Sequence, residues 1–313
     1  MKIIVVGIGK DNHNYRKIEG FFDAFSQVGE VEWLQQDWIY TCKHQSYDLV
    51  FGEISFSYLF NNIEKFKSLN IKSIVTWVTA DINKLVEFSL TKRETKFVNL
   101  YKSNLFNKKI LKEYKKIYGD TYQQTLDEGI AVEDFLNLQD KKITDNLSID
   151  YLPCSLSKLG KTEEKIYDVC YFGTINNRPI VREIINDLKK KYRVFTNFSD
   201  VDSVLKPEEC FSLYSKSKLT ISEQVYPVPL EYPVRLGESS ANGCKCFIHS
   251  SFDIKDSQNP LIPDHIISND KKKLIEEIDQ FLESYTDDYA KKMIDNFSAT
   301  YENAANFILR KAI

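Results

Sequence analysis

With 313 residues, 42% of them hydrophobic and 28% charged, the chain is long enough for two ordinary domains and too apolar for a disordered tail. No run approaches the roughly 20 uninterrupted apolar residues of a membrane span, so none is expected. A net charge of −3 excludes neither nucleic acid nor small anions as partners, because contact depends on where charge lies.

The first predicted element, Lys2 to Gly7, is a β-branched run ending in glycine, as in a strand buried on both faces of a parallel sheet. The opening MKIIVVGIG is too short and too strand-like for a secretory signal, which makes a cytoplasmic chain the expectation. The pattern Gly7-x-Gly9-x-x-Asn12 lacks the third glycine of a dinucleotide fingerprint, and no phosphate-binding P-loop occurs. A nicotinamide cofactor and a kinase or ATPase are therefore disfavoured. A helix follows from Tyr15 to Val28, with Ile18, Phe21, Phe22 and Phe25 at helical spacing. Then come the strand VEWL, the strand YDLVFGEI, a helix across Asn61 to Leu69, and the strand SIVTWVT ending at Ala80 and Asp81. Strand and helix alternate, the signature of a doubly wound α/β domain that gathers ligands at the carboxyl ends of its strands.

Between Thr91 and Tyr118 nine bases stand against two acids, a local charge of +7. A helix is predicted over Tyr101 to Gly119, and its basic face is either simply solvated or a phosphate-binding surface. A second α/β unit opens with KIYDVCYFGTI, a strand entering a glycine turn. It continues with the helix Pro179 to Lys191, the strand YRVFT, a helix over Pro207 to Ser215 and the strand SKLTISE. A loop with Pro227, Pro229 and Pro233 leads to PVRLGESSANGCKCFI, and helices around Ile278 to Leu282 and Tyr289 to Ile308 close the chain. The expected division is 1–150, 151–295, and a C-terminal helix in 296–313 packing back on the first domain. Six scattered cysteines, of which only Cys244 and Cys246 are close, read as reduced and mostly buried thiols. The four histidines, with His249, His265 and His44 far apart in sequence, indicate no metal cluster.

Three stretches carry candidate chemistry. Arg235 and Glu238 stand at i and i+3 on a short helix ended by Gly243, so they share one face. A guanidinium at a helix start suits a diphosphate, which leaves the carboxylate for vicinal hydroxyls such as those of a ribose. A surface salt bridge between the two is the competing reading. In FGTINNR, Gly173 admits close backbone approach, Thr174 supplies a hydroxyl, and Arg178 stands near the next helix start. Asp81 ends a buried strand, placed either to take a proton from an incoming hydroxyl or to cap the helix Ile82 to Leu90. His13 and Glu19 follow the first strand and are candidates for acceptor contact.

These residues resemble the two-domain glycosyltransferases of the GT-B type, and among them the phage DNA β-glucosyltransferases that act on hydroxymethylcytosine. The resemblance rests on YDVCYFGTI, on PVRLGESSANGCKCFIHSSFD with its Arg-x-x-Glu block, on VTADI, and on Tyr226 ahead of Arg235. Bacterial glycosyltransferases resembling spore-maturation proteins share several of these features and act away from DNA. The resemblance implies a GT-B fold, α/β, with two Rossmann-like domains and a cleft between them. It implies a nucleotide sugar, UDP-linked, as donor substrate, with no tightly bound cofactor and no metal indicated. It also implies donor contacts from Gly173, Thr174, Arg178, Tyr226, Arg235 and Glu238, and Asp81 as the general base of an inverting transfer. Where that family places a further arginine near Thr174, this chain has Asn176 and Asn177. The implied acceptor is a hydroxymethylated pyrimidine in double-stranded DNA, met by His13, Lys108, Lys109, Lys112 and Lys116, in the host cytoplasm if the chain comes from a phage. Glu231 and Glu238 have six residues between them, not the seven of many retaining enzymes. A glycan, protein or small-molecule acceptor is the alternative, and a non-catalytic sugar-nucleotide-binding protein is the alternative from another class.

Overall fold

The structure is a computed structural model of residues 1–313, and it describes all of them except 8–15, 78–81, 102–104, 107–129, 132–141, 153–154, 174, 176–177, 199–204, 225–233 and 251–265. Two units emerge, the first made of Met1–Cys154 with Tyr301–Ile313, the second of Ser155–Thr300.

In the first unit β1 (Lys2–Val6) pairs in parallel with β2 (Glu30–Leu34) and β3 (Ser46–Gly52). The sheet continues through β4 (Asn70–Thr76), β5 (Lys96–Tyr101), β9 (Leu147–Tyr151) and β8 (Lys142–Thr144), in the order β2-β1-β3-β4-β5-β9-β8. Only the β8 and β9 pairing is antiparallel. Ile3, Ile4, Val5 and Val6 are all fully buried, because helices cover both faces of the sheet. On one face, helix α1 (Arg16–Ser26) sets Phe21 and Phe25 against Phe51, and Phe21 also meets Trp77. On the other face Ile4, Val6, Val50 and Ile74 join a core with Trp38 of α2 (Trp38–Thr41), Phe66, and Phe88 of α5 (Ile82–Thr91). Gly52 holds a φ of +140°, and a Cβ there would meet the Val6 carbonyl oxygen at 1.9 Å, so β3 closes on β1 only with glycine.

Some sequence expectations change here. The helix foreseen over Asn61 to Leu69 is two short helices, α3 (Phe56–Asn61) and α4 (Ile63–Lys67). They are split at Asn62, whose side-chain amide donates to the Tyr58 carbonyl at 2.8 Å. Within the helix foreseen over Tyr101 to Gly119, Tyr101 ends β5 and β6 (Leu105–Phe106) is a strand paired with β7 (Ile130–Ala131); residues 102–104 and 107–119 lie outside the described residues. Lys92, counted in the basic run, is only 2% exposed. Its ammonium donates to the Leu69 carbonyl at 2.9 Å, lies 3.4 Å from Glu94 and sits over the Phe66 ring. Lys92 holds the fold together and is withdrawn from any anion-binding face. Lys92→Met is expected to cost about 2 kcal/mol in denaturant unfolding, since the Leu69 carbonyl loses its partner, while leaving polyanion binding unchanged.

The second unit carries five parallel strands in the order β11-β10-β12-β13-β14: Val194–Asn197, Tyr167–Phe172, Ser217–Gln224, Lys245–Ser250 and Ile266–Ser268. Helix α6 (Pro179–Leu188) and helix α9 (Lys271–Ser284) cover one face, burying Val181, Ile184, Leu274 and Ile278 against Tyr171, Ile221 and Phe247. On the other face Tyr214, from α7 (Pro207–Ser215), packs on Phe172 with Cys170 and Cys244. The five cysteines described are free thiols, all buried but Cys42. Strand order reverses between β10 and β12, and the carboxyl end of such a switch point is where an open α/β sheet leaves room for a ligand.

The helix foreseen over Tyr289 to Ile308 is also two, α10 (Asp287–Asp295) and α11 (Tyr301–Ala312). Between them Thr300 bridges Ser157, and the Ser157 N–H donates to the Ala299 carbonyl at 3.0 Å, so extended backbone interrupts the helix without help from glycine or proline. Helix α11 belongs to the first unit. Ser73 donates to the Ala312 carbonyl at 2.6 Å, Lys311 pairs with Asp150, and the Tyr301 ring lies edge-on to Phe21 over Gly20. Among the described residues no helix is long and apolar enough to cross a membrane.

Candidate functional site

The end of β10 shapes the site. After Phe172 the chain turns at Gly173, whose φ of +109° is left-handed and whose N–H donates to the Asn197 carbonyl at 3.0 Å. Helix α8 (Val234–Ser240) brings Arg235 to the same spot. One guanidinium nitrogen, Nη2, donates to the Phe172 carbonyl at 2.5 Å and lies 3.4 Å from where a Gly173 side chain would begin. The guanidinium carbon is 4.7 Å from the centre of the Tyr171 ring and 5.1 Å from that of Phe172, the geometry of a cation held on aromatic faces. Burial works against the Arg235 charge, but Tyr214, Tyr171, Cys246 and Cys170 around it favour it, and its pKa moves upward. Burial in turn pushes the Cys246 thiol up to about 12, with Arg235 opposing the shift, so this thiol stays protonated.

The other nitrogen, Nη1, is buried and makes no hydrogen bond. No ion pair joins Arg235 to Glu238 among the described residues, which removes the surface salt bridge as an account of their spacing. Glu238 is half-buried one turn on, with its charge felt by Tyr214 and its backbone carbonyl receiving the Asn242 amide at 2.7 Å. Helix α8 is set in place by Gly237, against which the Ser155 carbonyl rests so closely that a Cβ would meet its oxygen at 1.9 Å.

Arg178 is the N-cap residue of α6, half-buried, with its N–H donating to the Ile175 carbonyl at 3.0 Å. Its charge acts on Glu223, the penultimate residue of β12. Glu223 is 8% exposed and His249, its register partner on β13, is 5% exposed. Burial raises the Glu223 pKa, against the pull of Arg178 and of a hydrogen bond from the Val181 N–H in the first turn of α6. Burial lowers that of His249, opposed by a hydrogen bond to the Asn269 backbone. Glu223 Oε2 and His249 Nδ1 are both buried without a partner. Of the residues singled out from sequence, the structure thus brings Gly173, Arg178, Arg235 and Glu238 to one sheet edge. Asp81, Thr174, Tyr226, His13, Lys108, Lys109, Lys112 and Lys116 lie outside the described residues. Glu223 escaped sequence reasoning, and His249 was weighed only as a metal ligand; the available signal was an acid and an imidazole at the carboxyl ends of the strand runs KLTISE and CFIH. Among the described residues no group of three or more His, Cys, Asp or Glu side chains is placed to hold a metal ion.

The sequence matches no model of a known protein family and no curated protein. Among solved structures the chain is similar to the sucrose-phosphate synthase of Thermosynechococcus elongatus, with 10% identity, 99% of this chain and 97% of that one covered, and a TM-score of 0.51. It is similar also to the N-terminal domain of the Candida albicans trehalose-6-phosphate phosphatase, with 11% identity, 99% and 88% coverage, and a TM-score of 0.52. A likeness to a chain of the GtfA/B complex is weaker, with 10% identity over 82% of this chain and a TM-score of 0.42, and this chain spans about three fifths (60%) of that one's length. At such identities the likeness speaks of fold alone, and two α/β units on largely parallel sheets, with the two neighbours at TM-scores of 0.51 and 0.52, make the fold GT-B.

Proposed function

We propose that this chain is a glycosyltransferase that takes a sugar from a nucleotide sugar, UDP-linked, held on the second unit. The observation that carries the reading is Arg235 Nη1, a buried guanidinium nitrogen left without a partner at the carboxyl end of β10, beside the positive-φ turn at Gly173. A charged donor out of water and unpaired is costly, and a diphosphate oxygen would satisfy it. Arg178 would add a second charge, and Glu238 would accept the ribose hydroxyls. When the sugar leaves, negative charge grows on the diphosphate, and fixed donors aimed at it lower the barrier without reorganising. Asp81, in the first unit, is the base we assign to the acceptor hydroxyl, giving inversion; both assignments follow the resemblance to GT-B enzymes. Thr174 and Tyr226 we carry over as donor contacts on the same ground.

For the acceptor we propose hydroxymethylated pyrimidine in double-stranded DNA, contacted by His13, Lys108, Lys109, Lys112 and Lys116. The support is the basic run, which without Lys92 keeps eight bases. Incubating the protein with UDP-, GDP- and ADP-sugars and candidate acceptors, followed by mass spectrometry, tests the reading. We expect a mass gain of one sugar on hydroxymethylated DNA and loss of that gain in Asp81→Ala. A gain on a glycan or peptide instead would retain the transferase and discard DNA. Donor binding with neither transfer nor hydrolysis would replace the enzyme with a sugar-nucleotide sensor. Duplex binding, if present, should fall steeply between about 50 and 200 mM salt, as counterion release requires.

A further inference from the structure

Beyond Arg235, two more buried atoms at the same sheet edge lack partners, a carboxyl oxygen of Glu223 and the Nδ1 of His249. Glu223 and His249 are register partners on neighbouring parallel strands, whose backbones run about 4.8 Å apart, so their side chains stand on one face. It is the face of Leu219, Ile221 and Phe247, under the start of α6. On the carboxylate, the Val181 N–H serves one oxygen and Oε2 has nothing. On the imidazole, Nδ1 has nothing either. When the proton sits on Nε2, Nδ1 offers a lone pair. In that tautomer the two atoms are acceptors on one face and call for a partner that donates twice, since each orphan otherwise costs about 1–3 kcal/mol. A phosphate brings acceptors and negative charge, and does not fit. A vicinal diol donates two hydrogen bonds and carries no charge.

Strand β10 ends at Phe172, whose carbonyl holds Arg235, and the neighbouring β12 ends one residue past Glu223, so anion donor and hydroxyl acceptors close adjoining strands. We propose that Glu223 and His249 read two adjacent hydroxyls of the sugar being transferred, making them specificity-determining residues of the donor site. This rests on the nucleotide-sugar reading above.

Calorimetric titration tests it with UDP-glucose, UDP-N-acetylglucosamine and GDP-mannose, each alongside its bare diphosphate. Glu223→Gln and His249→Phe, chosen to keep shape, are expected to weaken the sugar nucleotide that binds best about tenfold each, one hydrogen bond's worth, with the bare diphosphate unchanged. Removing one sugar hydroxyl from that ligand should cost the wild type a similar factor and cost one of the two variants nothing more. If both variants bind the sugar nucleotide as wild type does, an internal water fills the gap and the proposal is overturned. If they weaken sugar nucleotide and bare diphosphate alike, the pair serves the fold or the ribose, and the proposal again falls while the transferase reading stands. Should neither variant fold, the deoxy ligands on wild-type protein decide, and indifference to every hydroxyl overturns it. No binding of any nucleotide by the wild type overturns both readings.

Discussion

Arg235→Ala is expected to lower sugar transfer by about 10²- to 10³-fold, the usual cost of deleting one fixed donor to a developing negative charge. Diphosphate affinity should fall with it by about 10- to 100-fold, for loss of a charge-assisted hydrogen bond. The substitution also strips the Phe172 carbonyl of its 2.5 Å partner and uncovers the Tyr171 and Phe172 rings, so part of any effect is structural. Arg235→Lys separates the two contributions. A lysine keeps the charge over the rings but lacks the fork that lets one nitrogen hold Phe172 while the other serves a ligand. We therefore expect near-normal melting with weakened binding and turnover. Calorimetry with UDP and steady-state kinetics on the same samples check this; full activity in Arg235→Lys would show that Nη1 serves no ligand.

Gly237→Ala is expected to be the most damaging of the small substitutions near the site. The added methyl would stand 1.9 Å from the Ser155 oxygen and 2.5 Å from its carbon, both backbone atoms that cannot swing aside. Relief requires α8 to move off Ser155, at about 3 kcal/mol. For a unit of this size that lowers the melting temperature by roughly 10 °C. Because Arg235 and Glu238 ride on α8, donor affinity should fall as well, in a variant that alters no ligand contact. Thermal melting followed by circular dichroism, with UDP titration below the transition, measures both. Normal melting would mean that the Ser155 segment yields freely.

The contrast between these residues shows what the amino-acid order could reveal. Buried strands such as KIIVV and YDVCYF announce themselves by composition, and Arg235-x-x-Glu238 by spacing, because both signals are local. Glu223 and His249 lie 26 positions apart and acquire meaning only from strand register, which no local pattern encodes. Lys92 looked like one charge among many, since what buries it, the Leu69 carbonyl, lies 23 residues earlier. The break between α10 and α11 contains neither glycine nor proline and is imposed by Ser157 from the far end of the second unit. Arg235 is a similar case: its Nη2 is held by the carbonyl of Phe172, 63 residues earlier at the end of a strand.

That Ser157 contact also bears on how the polypeptide comes off the ribosome. The second unit is an insertion whose two ends meet each other, so a nascent chain that has reached Thr300 holds every residue that unit needs. The first unit, begun earlier, is still missing Tyr301 over Phe21 and Ala312 under Ser73. The half synthesised second is thus the half completed first, and the half begun first waits for Tyr301–Ile313 to emerge.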